Sequence, residues 1–370
     1  HACGNDFRIV EGSADPALAV RVCARNTGIG ADGVEFLEWT GDCAGRIRLL
    51  NADGSAAEIS GNGTRCVAAW MAELYSTAEN FDRLKADDLK KVLAKQEYAG
   101  PDAAAIAHRC GGTLIARDLV VTAAHCVANK DDFDGEDILT VPRVRRVRLG
   151  TLDLCDGCGS TYKIVGVAVH AGYDPHGKVN TDDIALLRIA PDESTDLETK
   201  PSPIVLGTAP IGQRDALLLY GWGFTHQSSA CGGNDAVDLQ GNVQLTPKTL
   251  QFGLVQKDPK DCGQEMRRTD MPNGVVCVIG RTHNVFSCRG DSGGPLTRKH
   301  GRREEIVGLT SWSYGCGDKF PSVYTDVTHY TRWISLAAKQ LRARGGVIKV
   351  NAAGAVVPAV DPAPAARPFK

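Results

Sequence analysis

From residue 102 to 340 the chain is a succession of short Val-, Ile- and Leu-rich runs broken by Gly, Pro and Asp turns. Nothing else in it constrains the fold as strongly. RRVRLG, KIVGVAVH, DIALLRI and EEIVGLTSW are examples. Many short apolar runs with turn punctuation predict an all-β sandwich or barrel. One helix is expected to close this part, because Tyr330, Trp333, Ile334, Ala337 and Leu341 recur at helical spacing on one face.

The flanks differ in character, and a length of 370 residues predicts two domains. Residues 1–76 are rich in Gly, Ala, Asn and Asp. Residues 77–101 are highly charged around LKADDLKKVLAKQ, where Phe81, Leu84, Leu89, Val92 and Leu93 can form the apolar stripe of a linker helix. The main domain is expected over 102–341. The tail over 342–370, ending VVPAVDPAPAARPFK, has little to bury and is expected to be disordered.

Of the 13 cysteines, nine lie between Cys110 and Cys316. Such a set reads as disulfides and implies an oxidising, extracellular compartment. The chain begins at His1 and shows no signal peptide. A net charge of −2 gives no reason to expect nucleic acid or an anionic membrane as partner, and no run of eighteen apolar residues is present to span a bilayer.

Three segments carry chemistry: VTAAHC at 121–126, DDIALL at 182–187 and SCRGDSGGP at 287–295. Amide hydrolysis by a serine needs a base to activate a weak hydroxyl, an acid group to hold that base in one tautomer, and donors for the developing oxyanion. His125, Asp183 and Ser292 supply the first three groups. The glycines of GDSGG allow the tight turn that aims backbone N–H groups at one spot.

The order His, Asp, Ser and the GDSGGP hexapeptide resemble the trypsin/chymotrypsin family of serine endopeptidases. GWG at 221–223, SWSYGCG at 311–317 and VYTDVTHYTRWI at 323–334 also resemble its pattern. VRLGTLDLCDGC resembles arthropod clip-domain proteases more weakly. The resemblance implies a mainly β fold of two six-stranded antiparallel barrels with a C-terminal helix, preceded here by a small α+β partial domain. It implies that Gly290 and Ser292 form the oxyanion hole, and that Cys110–Cys126, Cys262–Cys277 and Cys288–Cys316 are bridged. Cys155 and Cys158 then read as a small loop bridge and Cys231 as the odd one. Substrates would be proteins or peptides, inhibitors of such enzymes would bind, and no cofactor or metal is expected. A non-catalytic homologue acting as a binding module is the alternative.

The resemblance also assigns specificity and activation. The residue six before the nucleophile, 292 − 6 = 286, is Phe286, where enzymes that prefer Arg or Lys carry Asp. Ser313 and Ser322 stand at pocket positions usually occupied by Gly, so a non-basic preference is expected, with Asp318 nearby as a possible source of charge. Asp291 would pair with the ammonium of a freshly cut Ile or Val, yet no basic residue followed by an IVGG-like run occurs over 77–109. The uncut chain is therefore expected to be poorly active.

Residues 1–76 resemble the N-terminal half of diaminopimelate epimerase through GNDF at 4–7, TGIGADGV at 27–34, NADGS at 51–55 and SGNGTRCVA at 60–68. Where that resemblance implies a catalytic Cys, this chain has Ser60, and Cys66 matches a later, non-catalytic one. A hydroxyl is a far poorer base than a thiol near neutral pH, so no epimerase activity is expected. RIVEG at 8–12 mimics a zymogen activation site, but it lies 110 − 9 = 101 residues before Cys110 and is explained by the epimerase resemblance. The acidic run at 131–137 reads as a solvated loop, because Lys130 occupies the first ligand position of a calcium loop. Asn62-Gly63-Thr64 is a glycosylation sequon in a segment that reads as a ligand loop.

Overall fold

The computed structural model describes residues 7–11, 13–24, 33–41, 44–54, 71–75, 108–128, 146–154, 158–174, 180–193, 195–196, 201–224, 247, 249–260, 262, 271–281, 285–300, 303–316 and 320–357. The first segment is a small α+β unit. Strand β1 (Phe7–Glu11) pairs in parallel with β2 (Gly33–Gly41), which pairs antiparallel with β3 (Ala44–Asn51). Between β1 and β2 runs helix α1 (Pro16–Cys23). Its start is set by Asp15, whose carboxylate accepts the N–H groups of Ala17 and Leu18, followed by Pro16 in the first turn. Ala19 and Cys23, four apart, bury against Val34 and Phe36, two apart, so the helical and strand periods meet in one core. The Arg8–Ile9 bond lies inside β1, with Ile9 opposite Glu35. Ser60, Asn62 and Cys66 lie outside the described residues, as do the linker over 77–101 and the acidic run at 131–137.

The first barrel is a closed ring. Its strands are β4 (Met71–Tyr75), β5 (His108–Ala116), β6 (Leu119–Thr122), β7 (Arg146–Leu149), β8 (Ser160–His170) and β9 (Ala185–Pro191). Antiparallel pairs β4–β5, β5–β6, β6–β9, β9–β8, β8–β7 and β7–β4 close it. Closure abolishes sheet edges. Leu114, Val120, Val121, Val147, Leu149, Leu186 and Leu187 fill the interior. Met71 and Ala72 of β4 are buried in it too, although the composition break places them with the first segment.

The second barrel follows after a short strand β10 (Val205–Leu206), which lies parallel to β15 (Arg303–Trp312). Its other strands are β11 (Leu217–Gly221), β12 (Gln251–Lys257), β13 (Val275–Gly280), β14 (Pro295–His300) and β16 (Ser322–Asp326). The ring runs β11–β12–β13–β16–β15–β14 and back to β11, antiparallel throughout. The expected pair of six-stranded barrels is thus what the chain forms. Helix α2 (Val327–Arg344) follows, capped by Asp326, with Tyr330, Trp333, Ile334, Ala337 and Leu341 on its buried face as the spacing predicts.

The tail differs from expectation. Gly346–Val350 forms β17, parallel to β8, and Val356–Val357 forms β18 beside it. Strand β7 covers only residues 160–163 of β8, so the edge over 166–170 needs a partner, and GVIKV has the β-branched composition to supply one. Ile348 and Val350 are buried against the first barrel and α2. The Ala- and Pro-rich end past residue 357 lies outside the described residues.

Candidate active site

His125 sits on a single 3-10 turn, Ala124–Cys126, at the end of β6. The Cys110–Cys126 disulfide ties that turn to β5 with a Cα–Cα distance of 6.2 Å. Closing a loop of 16 residues stabilises the fold by about 3 kcal/mol through the unfolded chain. Asp183 lies just before β9, which is paired to β6, so strand register brings the two side chains together. His125 Nδ1 donates to Asp183 Oδ2 at 2.7 Å, and the His125 backbone N–H donates to Asp183 Oδ1 at 2.9 Å. An ionised carboxylate only accepts, so the ring proton is on Nδ1 and Nε2 is left as the base.

Two residues with no role assigned from sequence hold Asp183 in place, one at its carboxylate and one at its backbone carbonyl. Ser311 Oγ on β15 donates to Asp183 Oδ2 at 2.5 Å, and Thr325 Oγ1 on β16 donates to the Asp183 carbonyl at 2.8 Å. Asn180 adds a longer contact of 3.4 Å. Burial opposes the charge on Asp183, but His125 and the bonds from His125 and Ser311 hold its pKa below the ordinary value. Burial likewise disfavours the His125 cation, yet the Asp183 charge and hydrogen bond outweigh it and raise the imidazole. The two sulfurs near the ring are those of the Cys110–Cys126 disulfide, so they offer no thiolate to a metal.

Ser292 is carried on the turn between Cys288 and β14. Its carbonyl accepts the Gly111 N–H at 2.8 Å. At Gly293, with φ +72°, a Cβ would stand 2.1 Å from Thr122 Oγ1 and 2.9 Å from the Ala123 nitrogen, so only glycine lets this turn press onto the strand leading into His125. Among the described residues no hydrogen bond takes up the N–H of Gly290 or Ser292, and none joins Ser292 Oγ to the His125 ring. Open donors suit an oxyanion. Catalytic hydrogen bonds of this type often tighten only when substrate is bound.

Asp291 is buried next to Ser292. The Gly223 N–H donates to Oδ1 at 2.7 Å and the Cys288 N–H to Oδ2 at 2.8 Å. Burial pushes its pKa up to about 6, against those two bonds and the field of His108. His108, buried at the start of β5, holds the Gly290 carbonyl through Nε2 at 2.9 Å. The remaining expected bridges form as well, Cys262–Cys277 and Cys288–Cys316. Cys158 is disulfide-bonded, while Cys155 and Cys231 lie outside the described residues.

At the positions expected from the sequence to line the pocket, Phe286 is half-buried between buried Val285 and Ser287. Ser322 is buried, and its hydroxyl accepts the Ser287 N–H at 3.4 Å. Ser313 Oγ donates to the Gly315 carbonyl at 2.7 Å. Asp318 lies outside the described residues.

Comparison with known proteins adds the following. The family model described as Trypsin matches residues 94–334, and the one described as Diaminopimelate epimerase matches residues 1–86. Trypsin from Sarcophaga bullata is 32% identical over 242 residues, which is 64% of this chain and 82% of that protein. Trypsin epsilon from Drosophila erecta is 30% identical over 239 residues, 63% of this chain and 79% of that protein. The solved structure of neuropsin, a serine protease expressed in the limbic system of mouse brain, superposes with a TM-score of 0.50 at 24% identity, covering 73% of this chain and 95% of that one; this likeness concerns the fold alone.

Proposed function

Since this chain belongs to the trypsin family of serine proteases and is a serine endopeptidase, we propose that it hydrolyses peptide bonds through His125, Asp183 and Ser292. The buried, multiply bonded His125–Asp183 pair carries this reading. In the proposed reaction Ser292 Oγ attacks the scissile carbonyl while His125 Nε2 takes its proton. Asp183 keeps the ring in the Nδ1–H tautomer and stabilises the cation that forms. The N–H groups of Gly290 and Ser292 receive the oxyanion. His125 then protonates the leaving amine, and the acyl-enzyme is hydrolysed by water through the same base. Ser292→Ala should abolish both peptide hydrolysis and fluorophosphonate labelling; undiminished labelling of that variant would refute the assignment.

The proposed preference before the scissile bond is for small or medium uncharged residues. Phe286 offers no carboxylate, and a desolvated substrate cation without a partner costs roughly several kcal/mol. The hydroxyls of Ser322 and Ser313 are engaged at the walls, which suits a narrow slot. Slow turnover by the uncut chain is part of the same reading. The Arg8–Ile9 bond is held within β1, and Asp291 already has two backbone donors instead of a new terminal ammonium. The disulfides favour an extracellular setting, with protein substrates and protease inhibitors as partners. Epimerase activity is not part of the proposal.

A further inference from the structure

Asp182 and Asp183 are neighbours in the chain, yet their carboxylates face different partners. Asp183 meets His125 and Ser311. Asp182 Oδ1 accepts the Tyr330 hydroxyl of α2 at 2.8 Å, and His170 Nδ1 lies 3.5 Å from the same oxygen. The His170 ring accepts the Gly172 N–H at 3.1 Å and packs beside both Tyr330 and Trp333, with ring centroids 5.6 and 5.2 Å away. A Cβ on Gly172 would stand 2.1 Å from Asp182 Oδ2, so glycine at that position makes room for the carboxylate.

The backbone accounts for the divergence. Among the described residues Asp182 is the one non-glycine with positive φ, at +49°. Side chains avoid this left-handed region, Asp and Asn least strongly, and such a conformation persists only where its surroundings over-determine it. Here the Ile184 N–H closes onto the Asp182 carbonyl at 2.8 Å, the tight turn that delivers Asp183 to β9. The Tyr330 bond holds the side chain from the opposite direction.

We propose that Asp182 is a positioning residue for peptide hydrolysis: anchored by Tyr330, it keeps the left-handed turn that aims the Asp183 carboxylate at His125. The inference rests on the reading of His125, Asp183 and Ser292 as the triad. Asparagine tolerates the same backbone and presents an oxygen to Tyr330, whereas alanine does neither, so the two substitutions separate geometry from charge.

The test uses the full chain with Asp182→Ala, Asp182→Asn and Tyr330→Phe. Two readouts are taken: kcat and KM on a fluorogenic peptide, and the downfield proton resonance of His125 Nδ1–H, which reports the bond to Asp183 without any turnover. Small misplacements of a catalytic group are costly to the chemical step. Asp182→Ala should therefore lower kcat by about tenfold or more with KM within about twofold, and shift or broaden the resonance. Asp182→Asn should rescue both, and Tyr330→Phe should fall between. The proposal is overturned if Asp182→Ala keeps kcat and the resonance, if the loss lies in KM alone, or if Asp182→Asn is as impaired as Asp182→Ala. Should Asp182→Ala fail to fold, Tyr330→Phe decides: an unmoved resonance and kcat overturn the idea. Should the unmodified chain cleave no peptide, the protease reading fails, and the resonance by itself still decides whether Asp182 positions Asp183.

Discussion

Replacing Asp291 with Asn should change how the stability of the uncut chain depends on pH. Asp291 is buried, and its pKa is pushed from 3.8 up to about 6 because burial disfavours its charge more than two backbone N–H groups and His108 restore it. A group raised in the folded state stabilises fully below its unfolded value, and that contribution is lost as pH rises through the folded one. The shift of 6 − 3.8, about 2.2 units, corresponds to about 3 kcal/mol at 1.36 kcal/mol per unit. Between pH 4 and pH 8 roughly 2 kcal/mol of it should disappear, since the unfolded carboxyl is already partly ionised at pH 4. Asn does not titrate, so it lacks this loss. The assay is urea unfolding of both proteins at the two pH values, in an Ser292→Ala background to prevent self-cleavage. The unmodified residue should lose about 2 kcal/mol more than the variant on going from pH 4 to pH 8. Equal pH dependence, within about 0.5 kcal/mol, would refute the reasoning. A cation delivered beside Asp291 by a chain cut would lower its pKa and reverse the sign, so a cut sample that gains stability toward pH 8 would mark activation.

Three further outcomes are expected. Because Asp183 raises the His125 pKa and the base must be deprotonated, kcat/KM should fall toward acid with a midpoint above the ordinary 6.5; a midpoint below about 6 would contradict the His125–Asp183 geometry. In a fluorogenic panel varied at the first position, Ala, Val or Leu should exceed Arg and Lys, and a tenfold or greater preference for a basic residue would sink the assignment of Phe286 to the pocket base. Ending the chain at Gly345 removes buried Ile348 and Val350 together with the β17–β8 ladder, so chemical unfolding should show a loss of about 3 kcal/mol, and an unchanged midpoint would mean that the hairpin contributes nothing.

What could be read from the chain, and what could not, follows sequence distance. The proposed triad of His125, Asp183 and Ser292 can be put forward from the sequence because each residue sits in a short contiguous motif whose residue types that chemistry demands. Ser311 and Thr325 reach Asp183 from 128 and 142 residues away, and only the closure of two barrels brings them there. A lone Ser or Thr in a strand carries no local signal of that kind. Asp182 is hidden for another reason: its left-handed backbone and its bond to Tyr330, 148 residues on, exist only in the folded chain. The GVIKV strand is hard to see in the sequence because Ala and Pro dominate the tail around it, although five residues rich in β-branched side chains are enough to cover one open strand edge.

Strand β4 poses the sharper problem, because the epimerase match covers it while both of its hydrogen-bonded neighbours lie within the trypsin match. The epimerase match runs through residue 86 and the trypsin match starts at 94, so both leave Met71–Tyr75 outside the protease region. Hydrogen bonding is unambiguous about its partners: β4 pairs with β5 on one side and β7 on the other, and without it the ring has a gap between two strands. Met71 and Ala72 are almost wholly buried in the first barrel, against the same core that carries Val120 and Val121 beneath His125. A barrel lacking one strand exposes two unpaired edges and its interior at once, which is the arrangement most prone to aggregate. Barrel closure therefore groups Met71–Tyr75 with β5 to β9, although the change of composition at residue 77 groups them with the first segment.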